Sequence, residues 1–133
     1  MLPIYYTKNN LQDELNTENS YLMTIASEEN IVYSFLVFTV IEKDCAHIKS
    51  ICIHNSYKRY KLGTKMICYL KTLFKKISLY VQIVNKVAFN FYVRNNFKII
   101  KKDDTYYNSL EDKGAYYMIY NEDDDNTDEN NLQ

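Results

Sequence analysis

The chain has 133 residues, a formal net charge of −1 and 47% hydrophobic residues, with 14 Tyr and no Trp. That length suits one domain with a real core, since domains cluster at about 100–150 residues. The near-zero charge gives no reason to expect a nucleic-acid partner. No apolar run reaches the ~20 residues of a membrane helix, and the start lacks a signal peptide's basic and apolar blocks, so the expectation is a cytoplasmic protein with no membrane partner.

In chain order, residues 1–7 are apolar and aromatic around the single proline, Pro3. This reads as a truncated start or as a segment that lines something. Residues 8–16 read as a polar helix with Thr7 as a cap. Residues 20–27 alternate like a strand, 28–30 form a turn, and the β-branched and aromatic run 31–41 predicts a strand buried on most of both faces. After a turn at 42–44, residues 46–53 alternate again. Residues 20–53 therefore predict an antiparallel meander. A helix over 57–76 follows from Leu62, Met66, Ile67, Leu70 and Phe74 at spacings of three and four. Residues 78–84 predict a strand, and strand–helix–strand implies a right-handed crossover with local parallel pairing. Residues 86–95 form a short amphipathic helix with Val87, Phe89, Phe91 and Tyr92 among its apolar positions and Asn85 as its cap. Residues 97–100 and 115–120 read as strands on either side of a polar loop holding Tyr106 and Tyr107. From 121 the chain is acidic and Asn-rich, which divides it into a domain over 1–120 and a disordered tail over 121–133. No internal repeat is visible. Cys45, Cys52 and Cys68 have no metal-ligand spacing and read as buried, reduced thiols, so no metal is expected.

The most informative stretch joins the 46–53 strand to the long helix. It holds Lys58, Arg59 and Lys61, and Gly63 is the only glycine before Gly114. The first N–H groups of a helix lack internal partners and the helix dipole favours an anion there. A glycine lets a ligand approach the backbone closely. A strand feeding a helix through a basic turn is thus a site for phosphate.

The turn is similar to the acetyl-CoA-binding signature of the GCN5-related N-acetyltransferase (GNAT) superfamily, Arg/Gln-x-x-Gly-x-Gly/Ala. Lys58, Arg59, Tyr60, Lys61, Leu62 and Gly63 match it at the first and last positions, with Lys61 where the family has its first Gly. A second block extends the resemblance: residues 79–85 ending in Asn85, then Ala88 to Tyr92, then Asn96 and Phe97, with Asn96 in place of the usual Gly. With Leu2, Pro3, Ile4 and Tyr6 it narrows to the NatE-type branch of protein N-terminal acetyltransferases, the N-alpha-acetyltransferase 50 group. The resemblance implies an α+β, three-layer GNAT fold. Its mixed central sheet would have an antiparallel N-terminal meander and parallel strands splayed around the cofactor, and would lack the family's first strand and helix. The implied cofactor is acetyl-CoA, and the implied acceptor is the α-amine of a protein N-terminus beginning with Met. The implied partners are N-terminal peptides and the catalytic and scaffold subunits of a NatA-type complex. A catalytically weak adaptor, or an enzyme acting on lysine or small amines, are the competing readings.

Carried over residue by residue, the family's Tyr on the strand before the turn and its His on the strand after the helix become His47 and Tyr80, the same pair exchanged. His47 is then the base, acting through a water, and Tyr80 orients that water. Tyr92 lies near the sulfur and protonates the departing thiolate. The plainer alternatives are a strand-face histidine, a core tyrosine and a helix-core tyrosine. The cofactor contacts implied are Ile51, Cys52 and Ile53 along the strand, Lys58, Arg59, Tyr60, Lys61, Leu62, Gly63 and Thr64 at the turn, and Asn85 and Tyr92 beyond it. The peptide pocket implied is Leu2, Pro3, Ile4, Tyr6, Lys49, Tyr106, Tyr107 and Leu110. Lys49 replaces an apolar residue, which either admits an acidic second residue of the substrate or points to solvent. His54 has no assigned role.

Overall fold

The computed structural model describes residues 4–8, 19–104 and 114–124. It divides into two compact units, Met1–Phe74 and Lys75–Gln133.

In the first unit four antiparallel strands run side by side in chain order: β1 (Ile4–Lys8), β2 (Ser20–Ala26), β3 (Val32–Glu42) and β4 (Cys45–Ile53). The predicted meander is present, with one strand more than expected. β1 pairs Ile4 with Ile25 and Lys8 with Tyr21. Its Ile-Tyr-Tyr-Thr run has the β-branched and aromatic content a strand favours. Thr7 lies opposite Leu22 inside this strand and so cannot cap a helix. Lys8 is also strand, and the rest of the predicted 8–16 helix lies outside the described residues. Asn19, Asn30 and Asp44 take φ of 66°, 68° and 64° at the turns, a conformation in which Asn and Asp are enriched. On β3, Leu36, Val37 and Phe38 are buried in succession. A strand points successive side chains to opposite faces, so both faces of β3 are covered, as its composition predicts.

The helix α1 (Leu62–Leu73) is shorter than the expected 57–76. Residues Asn55–Tyr60 form a 3-10 helix instead, and Lys61 breaks the path at φ 57°, ψ 38°. Phe74 is extended and ends α1. Leu62, Met66, Ile67 and Leu70 are fully buried, and each contributes about 1.5–3 kcal/mol of hydrophobic stabilisation. Ser34 Oγ donates to Met66 Sδ at 3.5 Å, fixing β3 to the helix.

In the second unit β7 (Ala115–Asn121) lies between β5 (Lys76–Gln82) and β6 (Lys98–Asp103), antiparallel to both. Ile77, Leu79, Val81, Phe97, Met118 and Tyr120 are buried there. α2 (Lys86–Arg94) buries Tyr92. Val87 is 82% exposed, against its expected place on the apolar face. β6 runs past the predicted end at 100. Asn121 belongs to β7 and residues 122–124 form a helical turn, so regular structure extends into the expected tail. Residues 125–133 lie outside the described residues. The cysteines correct a further expectation. All are free, but Cys52 and Cys68 are exposed and Cys45 is only half-buried. Cys52 falls on an outward position of β4, and Cys68 on the outer side of α1 next to buried Ile67. Among the described residues no helix is long and apolar enough to cross a membrane.

Candidate functional site

β4 carries the first candidate group. His47 is half-buried opposite Thr39. Val37 pairs with Ser50 and Phe38 with Ile48, so Lys49 is the extra residue of a β-bulge. Bulges turn a strand and re-aim its side chains, and Lys49 is exposed. Partial burial holds the His47 pKa below 6.5, and the positive charge of Lys49 adds to the effect. Both disfavour the imidazolium. His47 is therefore neutral near pH 7 and able to accept a proton. Farther along β4, Ile51, Cys52 and Ile53 pair with Leu36, Phe35 and Ser34.

The 3-10 turn that follows is anchored at its start. The Ser56 N–H donates to His54 Nδ1 at 3.2 Å, so His54 caps it. The His54 N–H donates to the Tyr33 carbonyl at 2.9 Å. The Tyr57 ring lies 4.3 Å from Tyr33 and 5.6 Å from His54. Tyr33 is itself the extra residue of a bulge on β3, between the Ile25–Ser34 and Ala26–Val32 pairs. Neither Tyr33 nor His54 was marked for the site by sequence, because histidine is not among the usual capping residues and Tyr33 is one aromatic in a strand full of them.

The start of α1 is open. Lys61 occupies the cap position without a side-chain hydrogen bond, and the first turn holds no acidic residue. Leu62 and Gly63 are buried and Thr64 half-buried, while Lys58, Tyr60 and Lys61 are exposed. Arg59 lies in the 3-10 turn. Unclosed N–H groups, exposed cations and first turns without an acidic residue fit an anionic group such as a pyrophosphate.

In the second unit, the Ala88 N–H donates to Asn85 Oδ1 at 3.1 Å. The predicted cap is thus in place, and its amide nitrogen is the group left for a ligand. Tyr80 is half-buried opposite Tyr117, with ring centroids 4.9 Å apart. Tyr92 is buried edge-on to Phe97 at 5.6 Å, and burial pushes its pKa up to about 12. It stays a phenol. Of the expected peptide pocket, Ile4 and Tyr6 lie on β1 opposite Ile25 and Met23. Leu2, Pro3, Tyr106, Tyr107 and Leu110 lie outside the described residues. A cavity of about 250 Å³ in the first unit, lined by Tyr21, Phe38, Val40, Leu73 and Phe74, involves none of the candidate residues. It sits at the far end of α1, about 18 Å from the open turn at 1.5 Å per residue.

Residues 2–97 match the model of the Acetyltransferase (GNAT) family. The chain belongs to the GNAT family. Acetyl-CoA is the acyl donor this family uses. The GNAT chain is 37% identical over 68 residues to N-alpha-acetyltransferase 50 of Danio rerio, an alignment that spans 47% of the chain and 40% of that protein. The α+β fold is shared with a putative streptothricin acetyltransferase from Bacillus anthracis solved with acetyl coenzyme A: TM-score 0.70, 23% identity, 82% of this chain and 67% of that one. It is shared too with Arabidopsis thaliana Naa50 in complex with the bisubstrate analogue CoA-Ac-MVNAL: TM-score 0.66, 15% identity, 88% of this chain and 97% of that one.

The two places where this GNAT chain departs from the family's glycines now have a physical reading. Lys61 has φ 57° and Asn96 has φ 69°. Both are left-handed, the conformation that glycine adopts without cost. Asn96 meets the requirement with a side chain that tolerates it. Lys61 meets it with one that does not.

Proposed function

We propose that this GNAT protein transfers the acetyl group of acetyl-CoA to the α-amine of a protein N-terminus, preferring one that begins with Met. The observation that carries the reading is His47: a half-buried imidazole, kept neutral, on the strand that runs into the open turn. An amine must lose its proton to attack a thioester. An α-amine has a pKa near ~8 and a lysine near ~10.4. An imidazole weakened below its ordinary value suits the first acceptor and is a poor match for the second. Bound acetyl-CoA supplies a thioester carbonyl. The N–H groups at the start of α1, with Lys58 and Arg59 beside them, hold its pyrophosphate, and the β4 amides near Ile51 and Ile53 pair with its arm. The carbon–nitrogen bond forms as the carbon–sulfur bond breaks, and the amine proton passes through a water to His47.

The family resemblance, rather than any contact in the structure, gives Tyr80 the role of orienting that water. Tyr92 is a weaker acid, at about 12, than a thiol near ~8.5. It therefore eases the thiolate's departure by donating a hydrogen bond and keeps its own proton. The Danio rerio relative and the Naa50 complex, whose analogue carries the peptide MVNAL, support the α-amine acceptor and a Met start. Docking on NatA-type subunits and a cytoplasmic location belong to the same reading.

Mass spectrometry of a peptide panel incubated with the full chain and acetyl-CoA tests it. Peptides would begin Met-Leu, Met-Glu, Ser-Glu or Ala-Glu, with one more blocked at its terminus and carrying an internal Lys. The expected result is acetyl on the α-amine of the Met-starting peptides, with His47→Ala and Tyr80→Phe each lowering kcat by about 10- to 1000-fold. Acetyl on the internal Lys alone would overturn the α-amine assignment. Bound acetyl-CoA with no acetylated peptide would favour the adaptor.

A further inference from the structure

The bulge on β4 places a charge beside the proposed base. Val37 pairs with Ser50 and Phe38 with Ile48, and Lys49 between them has no pairing partner on β3. A bulge leaves its extra residue out of the ladder and re-aims a side chain, and bulges are over-represented next to active sites. Here the re-aimed residue stands two positions from His47. At about 3.3 Å per residue, the two backbones lie within roughly 7 Å of each other. Lys49 is exposed and has no ion-pair partner among the described residues. Its charge nonetheless reaches His47 and disfavours the imidazolium.

Taken alone, this arrangement opposes the reaction. The base has to take up a positive charge, and a like charge stands beside it. Along β4 the nearest acidic residue is Asp44 at the hairpin turn, roughly 16 Å of strand away from Lys49. An acceptor that brings its own negative charge removes the conflict. Its α-amine reaches His47 through a water, and its second residue begins one Cα spacing, about 3.8 Å, farther along. The flexible four-carbon stem of a lysine can meet a short acidic side chain there.

We propose that Lys49 makes the protein prefer acceptors whose second residue is Asp or Glu, the substrate carboxylate pairing with the Lys49 ammonium. The pairing holds the peptide at the base and offsets the like charge on it, so it acts on binding and on turnover. This inference rests on the α-amine reading and narrows it from a Met start to Met-Asp or Met-Glu.

The test is kcat/KM for three peptides that differ only at the second residue, Met-Glu, Met-Leu and Met-Lys, with the wild-type chain, Lys49→Met, Lys49→Arg and Lys49→Glu. Wild type is expected to favour Met-Glu over Met-Leu by about 5-fold, the upper end for an exposed ion pair, and to use Met-Lys least. Lys49→Arg should keep that order, Lys49→Met should level it, and Lys49→Glu should invert it. Added salt should shrink the preference, because an exposed pair is screened. Equal α-amine acetylation of all three peptides by wild type would overturn the role of Lys49 and leave the α-amine reading standing. So would a Lys49→Glu variant that slows all three by the same factor, the mark of a merely structural residue. No α-amine acetylation of any peptide would remove both.

Discussion

The two helix starts of this protein are built in opposite ways. At α2 the chain closes the end itself, with Asn85 accepting from Ala88 N–H at 3.1 Å. At α1 no side chain closes the end, and a left-handed lysine takes the cap position. The closed end stabilises the fold and the open end offers its N–H groups to a ligand. The same contrast appears in the titrating groups. Desolvation acts on His47 and on Tyr92, and in each it favours the neutral form. For a histidine that means a lowered pKa and a proton acceptor. For a tyrosine it means a raised pKa and a proton donor. One physical effect thus leaves a neutral imidazole in the first unit and a neutral phenol in the second.

The contrast breaks most severely at Gly63. Gly63→Leu puts a large side chain into the buried first turn of α1. Overpacking of this kind costs about 1–3 kcal/mol of stability, and the intruding side chain should also weaken acetyl-CoA binding at the turn in a calorimetric titration. Retained affinity would refute the assignment of the turn. Asn85 gives a smaller effect that separates the two helix starts. Asn85→Ala should cost about 1 kcal/mol of stability in a denaturant melt. Asn85→Asp keeps an oxygen cap and so should keep the stability, but it loses the amide N–H, and acetyl-CoA should bind it more weakly. If Asn85→Asp matches wild type in both respects, Asn85 is a cap and nothing more.

The smallest effect concerns pH. Folded His47 binds a proton less readily than it does in the unfolded chain, where its pKa is near ~6.5. The stability this gives is complete above that value and is lost as pH falls through it toward the lower folded pKa. The acid limb of kcat/KM should follow the folded pKa. Lys49→Met removes the lesser of the two causes, so that limb should move to higher pH. A limb that stays in place would show that Lys49 does not act on the base.

What could be read from the sequence followed from side-chain chemistry, and what was missed followed from the backbone. Alternation marked β2 and β4, the β-branched and aromatic run 31–41 marked β3, and Asn85 announced its cap because asparagine at a helix start has a specific bond to make. The beginning of α1 was misplaced because nothing in a lysine signals a positive φ. The family pattern marked residue 61 as a glycine position, but only the angle of 57° shows what the substitution costs. The same pattern at Asn96 is legible afterwards, since asparagine is the residue that most often stands in for glycine there. Lys49 looked misplaced in a peptide pocket until the register revealed a bulge, and register is invisible in a single strand's composition. The exchange of His and Tyr at 47 and 80 rests on the family resemblance alone.

The central claim, that the start of α1 is open for acetyl-CoA while that of α2 is closed, is tested most directly by amide hydrogen exchange with and without acetyl-CoA. The amides of residues 61–64 should slow on binding, while the Ala88 amide, already donated to Asn85, keeps its rate. Unchanged exchange across 61–64 in a protein saturated with acetyl-CoA would contradict the claim.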